Sequence, residues 1–186
     1  MQGYNAKDMA RSFRTVRANT IKIAEEIPEE SYGFRPAEGS RTVAETLAHI
    51  AATVVFFHRL HSPRPTALDF GMFAAGMQRQ IAEEAALSTK PKILEALRTG
   101  GEEFAGWLET ISDDALAEHV HYPPGMEPPS KTRFEMLLSP KEHEMHHRAQ
   151  LMVAERMLGI VPHLTRDMQA RMAQFQQQQQ QQSAAG

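Results

Sequence analysis

Apolar residues recur three and four positions apart along most of this chain, with polar residues between them. Met9, Phe13, Val16, Thr20, Ile23 and Ile27 form one such stripe, with Arg11, Arg14, Lys22 and Glu25 outside it. That spacing gathers the stripe on one side of an α-helix. It predicts a first helix over 6–26, ended by Pro28. A loop over 31–40 follows, punctuated by Gly33, Pro36 and Gly39. Val43, Leu47, Ile50, Val54 and Phe57 predict a second helix that begins near Thr42, where Thr42 and Glu45 fit a capping box. Over 58–87 the pattern is mixed. Pro63 and Pro65 break the second helix, and His58 and His61 beside its end read as surface residues. Met72, Phe73, Met77 and Ile81 predict a short helix inside this long connection.

A third helix opens near Ser88 or Thr89 with Pro91 in its first turn. Its stripe is Ile93, Leu97, Gly101, Phe104, Leu108 and Ile111. Two glycines in mid-helix, Gly100 and Gly101, each cost about 1 kcal/mol relative to alanine, so they predict a close approach or a bend. The fourth helix begins near Thr132, with Glu135 completing a second capping box, and ends at Leu158-Gly159. Pro140 inside it predicts a kink or a broken turn. Met168, Met172 and Phe175 suggest one more helix over 163–175, and seven glutamines follow.

The fourth helix carries the chemistry. Its stripe is Met136, Pro140, His143, His147, Leu151, Ala154 and Leu158, so two histidines one turn apart stand on the face that is to be core. An unpaired buried polar group costs roughly 1–3 kcal/mol. A divalent ion shared by both imidazoles meets that need, and so do ordinary hydrogen bonds; the spacing alone leaves both open. His146 is turned a quarter to a third of the way round the helix. His49 lies at the edge of the second helix's stripe, one turn after Glu45. Glu45 reads as the helix cap first and as an outer partner of that imidazole second. His119 and His121 share a face if that segment is extended, a weak metal signal.

Composition narrows the choices. The chain has 186 residues, 41% hydrophobic and 23% charged, as in an ordinary soluble domain. A net charge of −3 gives no reason to expect nucleic acid or an anionic membrane as partner. No cysteine is present, so thiolate zinc sites and a cysteine nucleophile are excluded, and any thiol must come from a small molecule. The first residues show no secretory signal and no apolar run reaches the length of a membrane span, so the cytoplasm is expected.

Three stretches together carry a resemblance. Tyr32-Gly33-Phe34-Arg35-Pro36 with Arg41, Ala44-Glu45-Thr46-Leu47-Ala48-His49-Ile50, and His143 to Leu151 resemble, in order and spacing, the DinB-like (DinB/YfiT) family of metal-dependent enzymes. Ala149, where the family often has glycine, and Pro140 depart from its pattern. The resemblance implies an all-α four-helix bundle over 1–162, arranged up-down-down-up with the long connection between helices two and three, and often a homodimer. Residues 163–186 would then be an extension, a short helix followed by a flexible glutamine-rich tail. It also implies a three-histidine site made of His49, His143 and His147, holding a divalent metal ion, zinc or nickel first. Three neutral imidazoles leave such an ion charged and open to a water, a thiol or a carbonyl. Family members of known activity imply a thiol-dependent S-transferase, or a related hydrolase or isomerase, acting on a small molecule with a low-molecular-weight thiol as cosubstrate. Tyr32, Arg35, Trp107, Arg148 and Gln150 are candidate pocket or supporting residues. A non-catalytic, stress-associated dimeric bundle stapled by the metal is the competing expectation.

Overall fold

A computed structural model describes residues 3–184. Helix α1 spans Ala6–Glu26, α2 Val43–His61, α3 Phe70–Ala86, α4 Lys90–Leu108 and α5 Asp113–Ala117. A short hairpin of β1 (His119–His121) and β2 (Ser130–Thr132) leads into α6 (Arg133–Met157), and α7 spans His163–Ala184. Capping boxes start three of these helices: Asn5 with Asp8, Thr42 with Glu45, and Thr132 with Glu135. In each, the cap side chain accepts from the third residue's N–H and that residue's carboxylate accepts in return.

Contacts at the helix ends fix the topology. Lys90 at the start of α4 donates to the Glu25 and Ile27 carbonyls at the end of α1, at 2.9 and 2.7 Å. Arg14 near the start of α1 pairs with Glu102 and Glu109 toward the end of α4. These two helices therefore run antiparallel. The backbone N–H of Val43 reaches the Phe34 carbonyl at 3.0 Å, so α2 also starts at the far end of α1. Beyond α6, Arg166 pairs with Glu26 at 2.6 Å, which returns the chain to that same end. The bundle is thus up-down-down-up, with α1 and α2 each packed against both α4 and α6. The connection carrying α3 is what lets α2 and α4 start at the same end.

Two core clusters fill the bundle, and a third joins Leu60, Leu68, Val120 and Met136. Ile23, Ile27, Leu47, Ile50, Ile93 and Leu151 fill one end. Phe13, Val54, Phe104, Leu108 and Leu137 fill the other, with the rings of Phe13 and Phe104 edge to face at 5.0 Å. Between them lies a buried ion pair. Arg17 on α1 reaches Glu144 on α6 through Nε at 3.0 Å to both carboxylate oxygens and through Nη2 at 2.8 Å, and its Nη1 donates to the Leu97 carbonyl at 2.8 Å. Of the two mid-helix glycines, Gly101 serves this pair, and Gly100 instead faces Val55 on α2. A Cβ on Gly101 would stand 2.9 Å from Arg17 Cγ, inside contact distance. The close approach predicted for Gly100-Gly101 is therefore to a guanidinium stem at Gly101 and to a valine side chain at Gly100.

Several expectations change. His61 is buried, its ring stacked on Phe57, and His58 is half-buried with its ring 5.1 Å from that of Trp107; neither is a free surface residue. Pro140 sits inside an unbroken α6. Helix α2 is long and apolar enough to cross a membrane by length and composition, yet more than half of that window is buried, as befits the helix that α3, α4 and α6 all contact. Helix α7 runs on through the glutamines to Ala184, past the end that the apolar pattern predicts. Glutamine is among the better helix formers, so no packed stripe is needed to extend it.

Removing one member of a buried pair strands the other charge without water. Glu144→Ala is expected to lower unfolding free energy by roughly 3–5 kcal/mol in urea denaturation, and Arg17→Met/Glu144→Leu together by much less. A loss below about 1 kcal/mol for Glu144→Ala would show that the pair does not organise this core.

Candidate metal centre

Side chains from α2 and α6 meet in front of a cleft. His49 comes from the edge of α2, and His143 and His147 come one turn apart from α6. Their Nε2 atoms converge: His49 to His143 is 3.0 Å, His147 to His143 is 3.2 Å, and all three lie within 4.8 Å of one another. Among the described residues this is the one group of three histidine or carboxylate donors so placed. His119 and His121 both point away from the body on β1 and gather no third donor among those residues.

The outer nitrogens of His49 and His147 are engaged. His49 Nδ1–H donates to Glu84 Oε1 at 2.8 Å. Gln80 Nε2 holds that carboxylate at 2.9 Å and donates to Thr53 Oγ1 at 2.9 Å. His147 Nδ1–H donates to Gln150 Oε1 at 2.8 Å, and the Gln150 amide donates in turn to His146 Nε2 at 3.1 Å. With protons on both Nδ1 atoms, the Nε2 atoms of His49 and His147 are bare lone pairs. His143 can donate to one of them and not to both. Hydrogen bonding inside the trio therefore leaves a lone pair unanswered, whereas a single cation would answer all three. A tetrahedral centre with bonds of about 2.0–2.1 Å sets its ligand nitrogens roughly 3.3 Å apart, close to two of the separations here. The residues present fit a divalent ion.

Electrostatics favour the same state. Burial, followed by the His147 and His49 rings, pushes the pKa of His143 down to about 4. Burial lowers His147 as well, although its bond to Gln150 opposes the shift. Neutral imidazole is the form a metal requires.

Glu84 and Gln80 were not singled out by the sequence. They lie in the connection between the second and third bundle helices, and their one-turn spacing among Met77 and Ile81 is the signal that could have found them. Glu45, the nearer carboxylate, is consumed by the Thr42 cap and by Arg35 at 3.2 Å. Of the other candidates, Gln150 supports His147 and Arg35 lines the cleft. Tyr32 is buried and donates to the Ala24 carbonyl at 2.6 Å, and Trp107 packs on His58 and Phe104. Arg148 is half-buried and makes no hydrogen bond among the described residues. The cleft has a volume of about 940 Å³ and is bounded by the 35–46 segment, by Glu84 and by α6 from His146 to Ala154.

An all-α bundle with histidines converging from two helices defines a class of helical proteins built to present imidazoles to a cleft. Residues 12–151, well over half of the chain, match the family model of the DinB superfamily, and the chain belongs to that superfamily. No curated protein matches it. Solved structures share the fold. A DinB-like protein from Bacillus subtilis is 22% identical, with a TM-score of 0.61 over 82% of this chain and 92% of the other. YfiT from Bacillus subtilis, a probable metal-dependent hydrolase with an unusual four-helix bundle topology, is 16% identical, with a TM-score of 0.64 over 86% of this chain and 91% of the other. The colibactin self-resistance protein ClbS, in complex with a dsDNA, is 11% identical, with a TM-score of 0.61 over 84% and 98%.

Acid should unfold this protein through its buried histidines. The pKa of His61 is pushed down to about 4 by burial and then by Arg133, alongside His143. Unfolded histidine titrates near 6.5, so below that pH the unfolded chain binds protons that the folded chain refuses. Stability is fully present above pH 6.5 and falls as pH drops toward 4. Urea midpoints of the metal-free protein across that window are expected to decline steadily; a flat profile would contradict the burial of these rings.

Proposed function

We propose that this chain is a divalent-metal-dependent enzyme acting on a small molecule, with His49, His143 and His147 as the ligands and zinc or nickel as the ion. The supporting observation is the convergence of three Nε2 atoms, with the outer nitrogens of His49 and His147 held by Glu84 and Gln150. A bound ion of this kind lowers the pKa of a coordinated water or thiol and polarises a carbonyl. The chain's own residues do the rest. Glu84 fixes the tautomer and tilt of His49, Gln150 does so for His147, and the cleft holds the reactant against that face. Thiol-dependent S-transfer, with a low-molecular-weight thiol from solution, is the reaction favoured, and hydrolysis or isomerisation at the same site is its near relative. A chain without cysteine accords with an external thiol.

A cytoplasmic homodimer is part of this reading. A small molecule is preferred over nucleic acid because the net charge is −3 and the opening is a concave cleft. The competing reading, a stress-associated bundle in which the metal is a staple, makes a different demand on the same residues.

His49→Ala separates the two. In an enzyme it is expected to abolish metal-dependent turnover of thiol and electrophile while leaving a folded bundle, because His49 lies at the edge of α2 beside an intact core. In a stapled module it chiefly lowers the melting temperature. Unchanged metal content in His49→Ala, His143→Ala and His147→Ala would remove the site from consideration. Glu84→Ala, which keeps all three ligands, is expected to weaken zinc binding about 10- to 100-fold by competition titration. An unchanged affinity would mean that Glu84 does not orient His49.

A further inference from the structure

We propose that the cleft beside the three imidazoles binds a small molecule through its carboxylate or phosphate group, and that Arg41 takes that anionic group. The inference rests on the proposed metal site for the reaction that follows, and on the cleft alone for the binding.

The charges in the lining point to an anion. Four ionised side chains bound the cleft: Arg35, Arg41, Glu45 and Glu84. Glu45 is spent on the Thr42 N–H at 2.7 Å and on Arg35 at 3.2 Å. Glu84 is spent on His49 and Gln80. Arg35 is tied to Glu45 and to the Ser40 carbonyl. Arg41 alone of the four has no ion pair or hydrogen bond among the described residues, and it is exposed to the opening. Arg41 is therefore the one charged side chain of the lining left without a partner.

Placement reinforces it. Arg41 stands immediately before Thr42, the cap of the 19-residue α2, so its guanidinium shares its end of the cleft with the positive end of a long helix dipole. His147 lines the same cleft, so a ligand held by Arg41 shares its space with one of the three imidazoles. Val43, Leu151, Val153 and Ala154 give the same cleft apolar wall. The ligand expected is an anion with an apolar body, its charged end on Arg41. A planar guanidinium suits either carboxylate or phosphate through paired N–H bonds.

Metal-free full-length protein is titrated with succinate, inorganic phosphate and uncharged succinamide while amide resonances of Ser40, Thr46 and Gln150 are followed. At least one anion is expected to shift them saturably, and succinamide is not. The stronger of the two names the group: succinate a carboxylate, phosphate a phosphate ester. R41Q is expected to weaken that anion roughly tenfold, and R41K to restore part of it. Shifts equal in R41Q and the parent chain, or no saturable shift with either anion, would overturn the proposal. Metal uptake of the parent chain, measured beside its anion titration, keeps the two readings apart. Anion binding without metal uptake would end the metal reading and leave this one standing; normal metal uptake without anion binding would do the reverse.

Discussion

A guanidinium and a carboxylate withdrawn from water tolerate each other only in a narrow geometry, and Arg17 and Glu144 meet in one. That pair sets the rotation of α6 against α1. Glu144 sits between His143 and His147 in sequence, and each step along a helix turns about 100°. Pointing Glu144 at α1 therefore directs His143 and His147 toward α2, where His49 waits. A slip of α6 by one residue would break the ion pair and scatter the imidazoles together. Gly101 belongs to the same constraint, because any side chain there would displace Arg17. The ionic lock and the histidine cluster are two faces of one helix register.

The cluster's other support comes from outside the bundle proper. Helix α3 has no fully buried residue and rests mainly on α2, with Gly76 against the Phe56 ring. Its inner edge carries Gln80 and Glu84, the residues that hold His49. Its outer side shows Phe70, Met77 and Ile81 to solvent. The connection that permits parallel α2 and α4 thus also completes the site. A bundle with a tight turn at this point would have lost both the topology and the carboxylate.

Much of this was legible along the chain. The four long helices follow from apolar spacing, and the boxes at Thr42 and Thr132 appear where their capping signatures stand. The pairing of His143 with His147 follows from one helical turn, while His49 entered through the resemblance, since nothing local to α2 says what lies opposite it. The misses share one cause. Glu84, 35 positions from His49, and Arg17, 127 positions from Glu144, are contacts between distant segments, and periodicity carries no information about partners. His61 reads as a surface residue beside its helix end, and nothing in the spacing marks Glu144 or Glu155, yet all three are buried. A buried charge is predictable only together with the group that neutralises it.

On the reading proposed here, the three imidazoles are arranged for a metal and not for each other. Elemental mass spectrometry of protein purified without an affinity tag tests it most directly, on the chain as isolated and again after adding zinc, nickel or manganese and removing the excess. The geometry predicts about one divalent ion per chain. No metal in either sample would contradict it, and would leave a helical bundle whose histidines share protons and nothing more.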